Sequence, residues 1–262
     1  MSEEKTITVQ PGFGAILRGI FLLNWTRNLA LRRLPMLVAA AAAFPILAFY
    51  ACRHEGPQTY LIFTIQFYLL LLLPIYCLYS CGGMIRDEVQ ADTLGFLITR
   101  PLTRAQLFLA SYVSQMAWIQ IVALANGLLL ILAGWLRDVP DVFAIGGLLL
   151  AAQALAVLVY CALSSLLGLI HQRYLVFGVV YGFIVEIGIG RIPTNINALS
   201  MSHHVQTVIA NVQAVRDQFT GWEPQRTGFA IFMMFLATVV FLVAASILFT
   251  YREYHHSEEM QK

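Results

Sequence analysis

Few side chains in this sequence have the types and spacing to do chemistry. Its 14 acids, 16 lysines and arginines and 6 histidines gather in short polar stretches between long apolar runs. General acid–base catalysis needs two titratable groups converging on one spot, yet a single acid, Glu186, falls inside an apolar run. Gly178, Gly182 and Gly190 repeat with Glu186 every four residues, so an acid and three small residues share one slowly drifting helix face. Small residues at this spacing let helices approach closely. An acid near the bilayer centre costs about 2.5–3.5 kcal/mol, so Glu186 must face a polar cavity or a partner. It could also reach the outer interface and pair with Arg191. His203 and His204 invite a metal reading, but neighbours on a helix of 3.6 residues per turn diverge by about 100°. With no third ligand of fitting spacing, they read as surface polar residues. Cys52, Cys77, Cys81 and Cys161 lie in or at the ends of apolar runs, which suits packing rather than a metal site or a disulfide framework.

The densest polar group is the stretch 86–106, RDEVQADTLGFLITRPLTRAQ, an island between two long apolar runs. Asp87, Glu88 and Asp92 make its first turn acidic, which complements the positive end of a helix dipole. Glu88, Val89, Asp92, Thr93, Leu97 and Ile98 mix acidic and apolar positions at helical spacing. Pro101 disfavours helix at Arg100, and Thr103 with Gln106 forms a T-x-x-Q capping box that starts the next helix. The stretch therefore reads as helix, stop and recapped helix; the plainer reading is a solvated connector. Several chemistries are missing. The sequence has no H-E-x-x-H, no G-x-S-x-G and no paired intramembrane acids. A P-loop needs a lysine after a glycine-rich loop, and the lysines here are Lys5 and Lys262. If the protein uses ATP, another chain binds it.

The elements that must position these residues are membrane helices. The chain is 59% hydrophobic and 11% charged, against about 25% charged in a soluble domain, and its mean hydropathy is +0.74. Net charge of +2 says little about nucleic acid, because the basic residues sit at the ends of apolar runs. The predicted fold class is an all-α polytopic membrane protein, a single transmembrane domain over 1–262. Six spans are expected at 34–52, 60–85, 107–136, 142–170, 174–190 and 228–251, the second kinked at Pro74 and loosened at Gly82–Gly83. Residues 1–11 lack a small-residue cleavage site and do not read as a secretory signal. Phe13, Ile16, Leu17, Ile20, Phe21, Trp25 and Leu29 form one stripe, so 12–33 is expected as an interfacial helix with its arginines toward headgroups. It would otherwise be an extension of the first span. Val205, Val208, Ile209, Val212, Val215 and Phe219 predict an amphipathic helix over 203–219, within an outer segment 191–227. That helix would cap a cavity or lie on lipid. Eleven basic residues on the side of the termini (Lys5, Arg18, Arg27, Arg32, Arg33, Arg86, Arg100, Arg104, Arg173, Arg252 and Lys262) face five on the other (Arg53, Arg137, Arg191, Arg216 and Arg226). That bias puts both termini and the island in the cytoplasm.

The run Glu88 … Asp92-Thr93-Leu94 … Leu97 … Arg100-Pro101-Leu102-Thr103-Arg104 resembles the first cytoplasmic loop of ABC exporter permeases of the type-2 family. That loop reads E-x-x-x-G-T-L followed by a P-x-S/T-R turn into the third span. The order of parts is similar across nearly the whole chain, although the sequence likeness covers only about 20 residues. Asp92 stands where the family usually has glycine, and Ala110-Ser111 where a lysine is common. The resemblance implies a permease subunit that is not itself an ATPase, similar to those of nitrous-oxide-reductase maturation and of gliding or pilus systems, in a bacterial inner membrane. It implies a cytoplasmic ABC ATPase in two copies carrying ATP and magnesium, with no cofactor bound directly to this chain. A second permease copy (a homodimer), membrane lipid and a periplasmic partner are also implied. Asp87, Glu88, Asp92, Thr93, Leu94, Leu97, Arg100, Pro101 and Arg104 would form the coupling helix and its exit. Spans two and five line the path in that family, which would set Gly178, Gly182, Glu186 and Gly190 at the dimer seam. Two other readings stay open: a scaffold recruiting a cytoplasmic partner through the island, and a membrane enzyme using Glu186, His203 and His204 near the outer face.

Overall fold

In lipid, backbone N–H and C=O groups find no water, so an apolar chain satisfies them internally by forming helix. The computed structural model describes residues 13–28, 43, 45–50, 57–84, 103–188, 197, 199–211, 213–216 and 226–251, and among these there is no strand. The first helix, α1, is Phe13–Asn28. The next, α2, runs as Pro57–Ile62, Phe63–Leu72 and Leu73–Gly82 without a break. Then come α3 (Arg104–Trp135) and α4 (Val142–Ile170). Next is α5 (Tyr174–Tyr181), continued by the wider-wound Gly182–Gly188. Helix α6 is Met201–Ile209, α7 is the single turn Gln213–Arg216, and α8 is Thr227–Tyr251.

Four helices are long and apolar enough to cross a membrane: Gln58–Gly82, α3, α4 and α8. They match the expected second, third, fourth and sixth spans, and α4 has the expected bounds. The expected fifth span is described in part. Its described residues are helical over 174–188, about 22 Å at about 1.5 Å per residue, and 189–190 lie outside the described residues. Most of the expected first span lies outside the described residues; 45–50 is helical. Residues 85–102, with Asp87, Glu88, Asp92, Thr93, Leu94, Leu97, Arg100 and Pro101, also lie outside them, as do Gly190, Arg191 and Cys52.

The bundle is built around α4, which packs against α2, α3, α5, α6 and α8. Its small residues make this possible. Ala152, Ala156, Ala162, Ser164, Ser165 and Gly168 are all buried, and small side chains let neighbouring backbones come close. A Cβ at Gly168 would overlap the backbone of Gly82. Gly82 therefore serves a close helix crossing at the end of the Leu73–Gly82 helix, whose C-cap is Gly83.

Contacts near the helix ends set the order of the two faces. Tyr60 near the start of α2 donates its hydroxyl to the Leu130 carbonyl near the end of α3, at 2.7 Å. Arg137, in the α3–α4 turn, donates through Nε to the Phe49 carbonyl at 3.1 Å and stacks on the Phe49 ring at 3.7 Å. At the opposite end, Arg104 Nη1 donates to the Thr250 carbonyl, 3.3 Å away in the last turn of α8. Cations favour a helix C-terminus, so the start of α3 and the end of α8 are held on one face. That face, where the island joins the bundle, is called the island end below.

Helix α1 forms within the expected 12–33 and packs against α3. Ile20 packs with Leu107, Phe108 and Ala110, Asn24 Nδ2 donates to Ser114 Oγ at 2.9 Å, and Trp25 meets Trp118 edge to face at 5.7 Å. From Ile20 to Trp25 α1 advances about 7.5 Å beside α3, at about 1.5 Å per residue. Its polar asparagine is thus spent on α3. Exposed Leu22 and Leu23 face away from the bundle.

Candidate functional site

The T-x-x-Q signature after the island is a complete capping box. Thr103 accepts from the Gln106 N–H at 3.2 Å, and Gln106 Oε1 accepts from the Thr103 N–H at 3.2 Å. Helix α3 therefore begins at Arg104, directly after its Thr103 cap. Of the nine residues expected at the coupling site, Arg104 is the one described, and it reaches across to α8.

The second candidate site gathers at Glu186. Gly178, Gly182 and Glu186 line one cleft, between the Leu70–Leu78 part of α2, the Tyr160–Leu167 part of α4, and α5 with its continuation. The glycines do different jobs there. A Cβ at Gly178 would overlap the Leu78 side chain of the same chain, whereas one at Gly182 would meet nothing within 4 Å. Gly178 is thus used against the protein's own α2, and the Gly182 position is open.

Two departures from α geometry flank this cleft. Phe63–Leu72 and Gly182–Gly188 are wound as π-helix, a form that occurs mostly as short bulges and often at functional sites. The first ends just before Pro74. A proline cannot donate an N–H and its ring clashes with the carbonyl one turn earlier; a wider preceding turn relieves both problems. The kink expected at Pro74 is expressed as this change of winding.

Glu186 itself is engaged, and by a partner that the sequence does not reveal. Its Oε2 accepts from the Ser200 hydroxyl at 2.9 Å and the Ser202 N–H at 2.7 Å, and its Oε1 from the Met201 N–H at 3.4 Å. The Ser202 hydroxyl donates to the Glu186 carbonyl at 3.1 Å. Ser200 is the N-cap of α6 and accepts from the His203 N–H. The first three N–H groups of α6, which have no partner within the helix, are therefore met by Glu186 and Ser200. Pairing of Glu186 with Arg191 lies outside the described residues.

This contact explains where α6 sits. It starts beside Glu186 and ends near the start of α8, where the Thr227 hydroxyl donates to Asn211 Oδ1 at 3.2 Å. Residues 201–205 and 207–209 are buried, and α6 packs on α4 and α8. Of the expected stripe, Val205, Val208, Ile209 and Val215 are buried, whereas Val212 and Phe219 lie outside the described residues. Of the two settings expected for this helix, capping a cavity and lying on lipid, this burial against α4 and α8 fits the first. His203 and His204 are correspondingly no surface residues; both are 0% exposed. Their neighbours Ser200, Ser202 and Thr207 are buried too, so a polar strip with internal hydrogen bonds lines this part of the core. Among the described residues, no group of three histidine, cysteine or acidic side chains is arranged to hold a metal. Cys77, Cys81 and Cys161 are buried free thiols between α2 and α4.

Elsewhere in the core, the Tyr68 hydroxyl lies 3.2 Å from the Ala123 carbonyl and 3.2 Å from Gln153 Oε1, tying α2, α3 and α4 together. Sequence reasoning missed this cluster. Tyr68 and Gln153 are widely separated in the chain, and only their polarity inside apolar runs marks them.

A family described as ABC-2 family transporter protein matches residues 30–197, a stretch that takes in the whole path from α2 through α5. No curated protein matches the chain.

Proposed function

The chain belongs to the ABC-2 transporter family, and from that premise we propose how it works as the membrane permease of an ABC transporter. The family pairs such a permease with an ABC ATPase subunit. In this reading the island, centred on Asp87, Glu88, Asp92, Thr93, Leu94 and Leu97 and closed by Arg100-Pro101, is the coupling helix that seats in a cleft of that ATPase. ATP hydrolysis there drives export, or force transmission to a periplasmic partner, through this chain. Two permease copies and two ATPase copies make the complex. Both termini and the island lie in the cytoplasm, and the membrane is the bacterial inner membrane. The chain itself hydrolyses nothing: ATP and magnesium stay on the ATPase.

The observation that carries this reading is the junction at Thr103–Arg104. A closed capping box fixes the first turn of α3, and Arg104 bonds the last turn of α8. A push arriving from the island at Thr103 therefore meets two long helices at once instead of being absorbed by a loose linker. Six spans, the two beyond the four long helices being 34–52 and 174–190, would put both termini on one side.

The test is purification in mild detergent with candidate nucleotide-binding chains encoded nearby. The expected result is a complex with equal copies of this chain and the ATPase, whose hydrolysis changes when the permease is present. Glu88→Lys should weaken that assembly or uncouple it while membrane insertion stays normal. Transport by this chain alone without ATP, or unaltered assembly and coupling in Glu88→Lys, would return the island to a solvated connector.

A further inference from the structure

We infer that the core of the bundle binds one water molecule between α2, α3 and α4, with Thr64, Asn126 and Gln153 as its partners. The site is separate from the island and from the Glu186 cleft, and it does not depend on the permease reading.

Three buried polar side chains meet at one level of the bundle. The Tyr60 hydroxyl reaches the Leu130 carbonyl, and the Tyr68 hydroxyl reaches the Ala123 carbonyl. Helices α2 and α3 therefore run antiparallel here, with the two tyrosines as markers. Thr64 lies midway between those tyrosines on α2, so it stands opposite the part of α3 between Ala123 and Leu130. Asn126 and Gly127 occupy that part, on the same buried stripe as Ala123 and Leu130. Gln153 of α4 completes the level, because a Cβ at Gly127 would come within 2.9 Å of both ends of its amide. None of the three polar residues is more than 7% exposed.

Each of them carries an orphaned atom. Thr64 Oγ1, Asn126 Oδ1 and Gln153 Nε2 find no hydrogen-bond partner among the described residues. Thr64 differs in this from Thr26, Thr207, Thr238 and Thr250, whose hydroxyls all donate to a carbonyl of their own helix. Asn126 lies 9 residues before the end of α3 and Gln153 lies 11 after the start of α4. That is about 14–16 Å at about 1.5 Å per residue, the middle of a core about 30 Å thick. Lipid offers such groups no hydrogen bond at this depth, so leaving three of them open is costly.

The amide of Gln153 shows what fits. Tyr68 has one proton and faces two acceptors, the Ala123 carbonyl and Gln153 Oε1, both at 3.2 Å. The two ends of an amide are nearly the same in shape. With Nε2 turned to Tyr68, the hydroxyl donates to Ala123 and accepts from Gln153, and the orphaned end of the amide becomes Oε1. The open set is then two amide oxygens and one hydroxyl. One water satisfies it without remainder: its protons go to Asn126 Oδ1 and Gln153 Oε1, and its oxygen accepts from Thr64. About three bonds is the usual number for a buried water. Thr64 belongs to the π-wound part of α2, so the water ties that part to both neighbouring helices.

Full-length protein in phosphatidylcholine nanodiscs would be exposed to short synchrotron X-ray pulses, which split a bound water into a hydroxyl radical that oxidises the nearest side chains. Tyr68 and Tyr112 are similarly buried, at 4% and 3% exposed, and Tyr112, which donates to the Leu158 carbonyl, is the control. Oxidation of Tyr68 should exceed that of Tyr112 several-fold, and should fall to the Tyr112 level in Thr64→Val and in Asn126→Leu. The thermal midpoint gives an independent sign. With the water bound, Thr64→Val removes one of its hydrogen bonds and should lower the midpoint by about 2–4 °C. In a dry core the same change deletes an orphaned hydroxyl and raises it. Equal oxidation of the two tyrosines in the wild type, Tyr68 oxidation that survives both substitutions, or a raised midpoint in Thr64→Val would each overturn the inference.

Discussion

A carboxylate inside a membrane domain needs a reason to be there, and for Glu186 the first reason is structural. Its two oxygens meet the opening N–H groups of α6 at 2.7 Å and 3.4 Å, with the Ser200 hydroxyl between them at 2.9 Å. Anions at helix N-termini are favoured by the dipole as well as by the hydrogen bonds. Glu186→Ala should therefore cost about 2 kcal/mol, since it removes a cap and a charge-assisted set of bonds together. For a chain of this size that is a fall of about 4–8 °C in midpoint. Ser200→Ala, which removes one hydroxyl, should cost about 1 kcal/mol. Thermal unfolding of the detergent-solubilised protein, followed by loss of the monodisperse peak, checks both. Equal stability of Glu186→Ala and wild type would mean that α6 does not depend on this contact.

At the level of elements, close helix crossings decide the packing, and glycine decides where they occur. Gly168 of α4 presses on the Gly82 backbone of α2, so Gly168→Ala should force the two helices apart and cost about 1–3 kcal/mol. Gly147 lies on the same helix with nothing within 4 Å, and Gly147→Ala should be neutral or stabilising by up to about 1 kcal/mol. The pair separates a packing effect from a general effect of alanine in α4; midpoints in one detergent read it out. A different element-scale effect is expected at the island end. Arg104→Ala removes the bond to the Thr250 carbonyl, and the last turn of α8 should fray. Faster proteolysis after Tyr251, together with weaker ATPase coupling, is the expected outcome. Unchanged proteolysis would show that α8 is held by its other contacts.

For the whole molecule, α5 carries the most pointed question. No residue of Tyr174–Tyr181 is buried, and Leu175, Val176, Val180 and Ile184 stay exposed along it. In the proposed homodimer this arm meets a second copy. Cysteine at 182, where a Cβ enters open space, should cross-link two copies under mild oxidant in a cysteine-free background. Cysteine at 178 should not, because that position is filled by the chain's own Leu78. Absence of cross-linking at 182 would turn the α5 face toward lipid and leave the cleft as a property of the single chain.

Some of this was legible in the residues alone. Apolar runs longer than a bilayer is thick, and too few charges for a soluble domain, settle the class, because lipid leaves the backbone no option but helix. Local signals of capping and termination act within a few residues, so the Thr103–Gln106 box and the bounds of α4 could be read directly. Helical periodicity found the buried face of α6 for the same reason. What periodicity cannot say is what a face is buried against. Helix α6 packs into the bundle because Glu186, 14 residues from its N-cap serine, satisfies its first N–H groups. That pairing, the meeting of Gly82 with Gly168, and the use of Gly178 against Leu78 all join residues distant in sequence. They depend on which helices cross and at what depth, which is set only when the side chains of α2, α4, α5 and α6 are packed together.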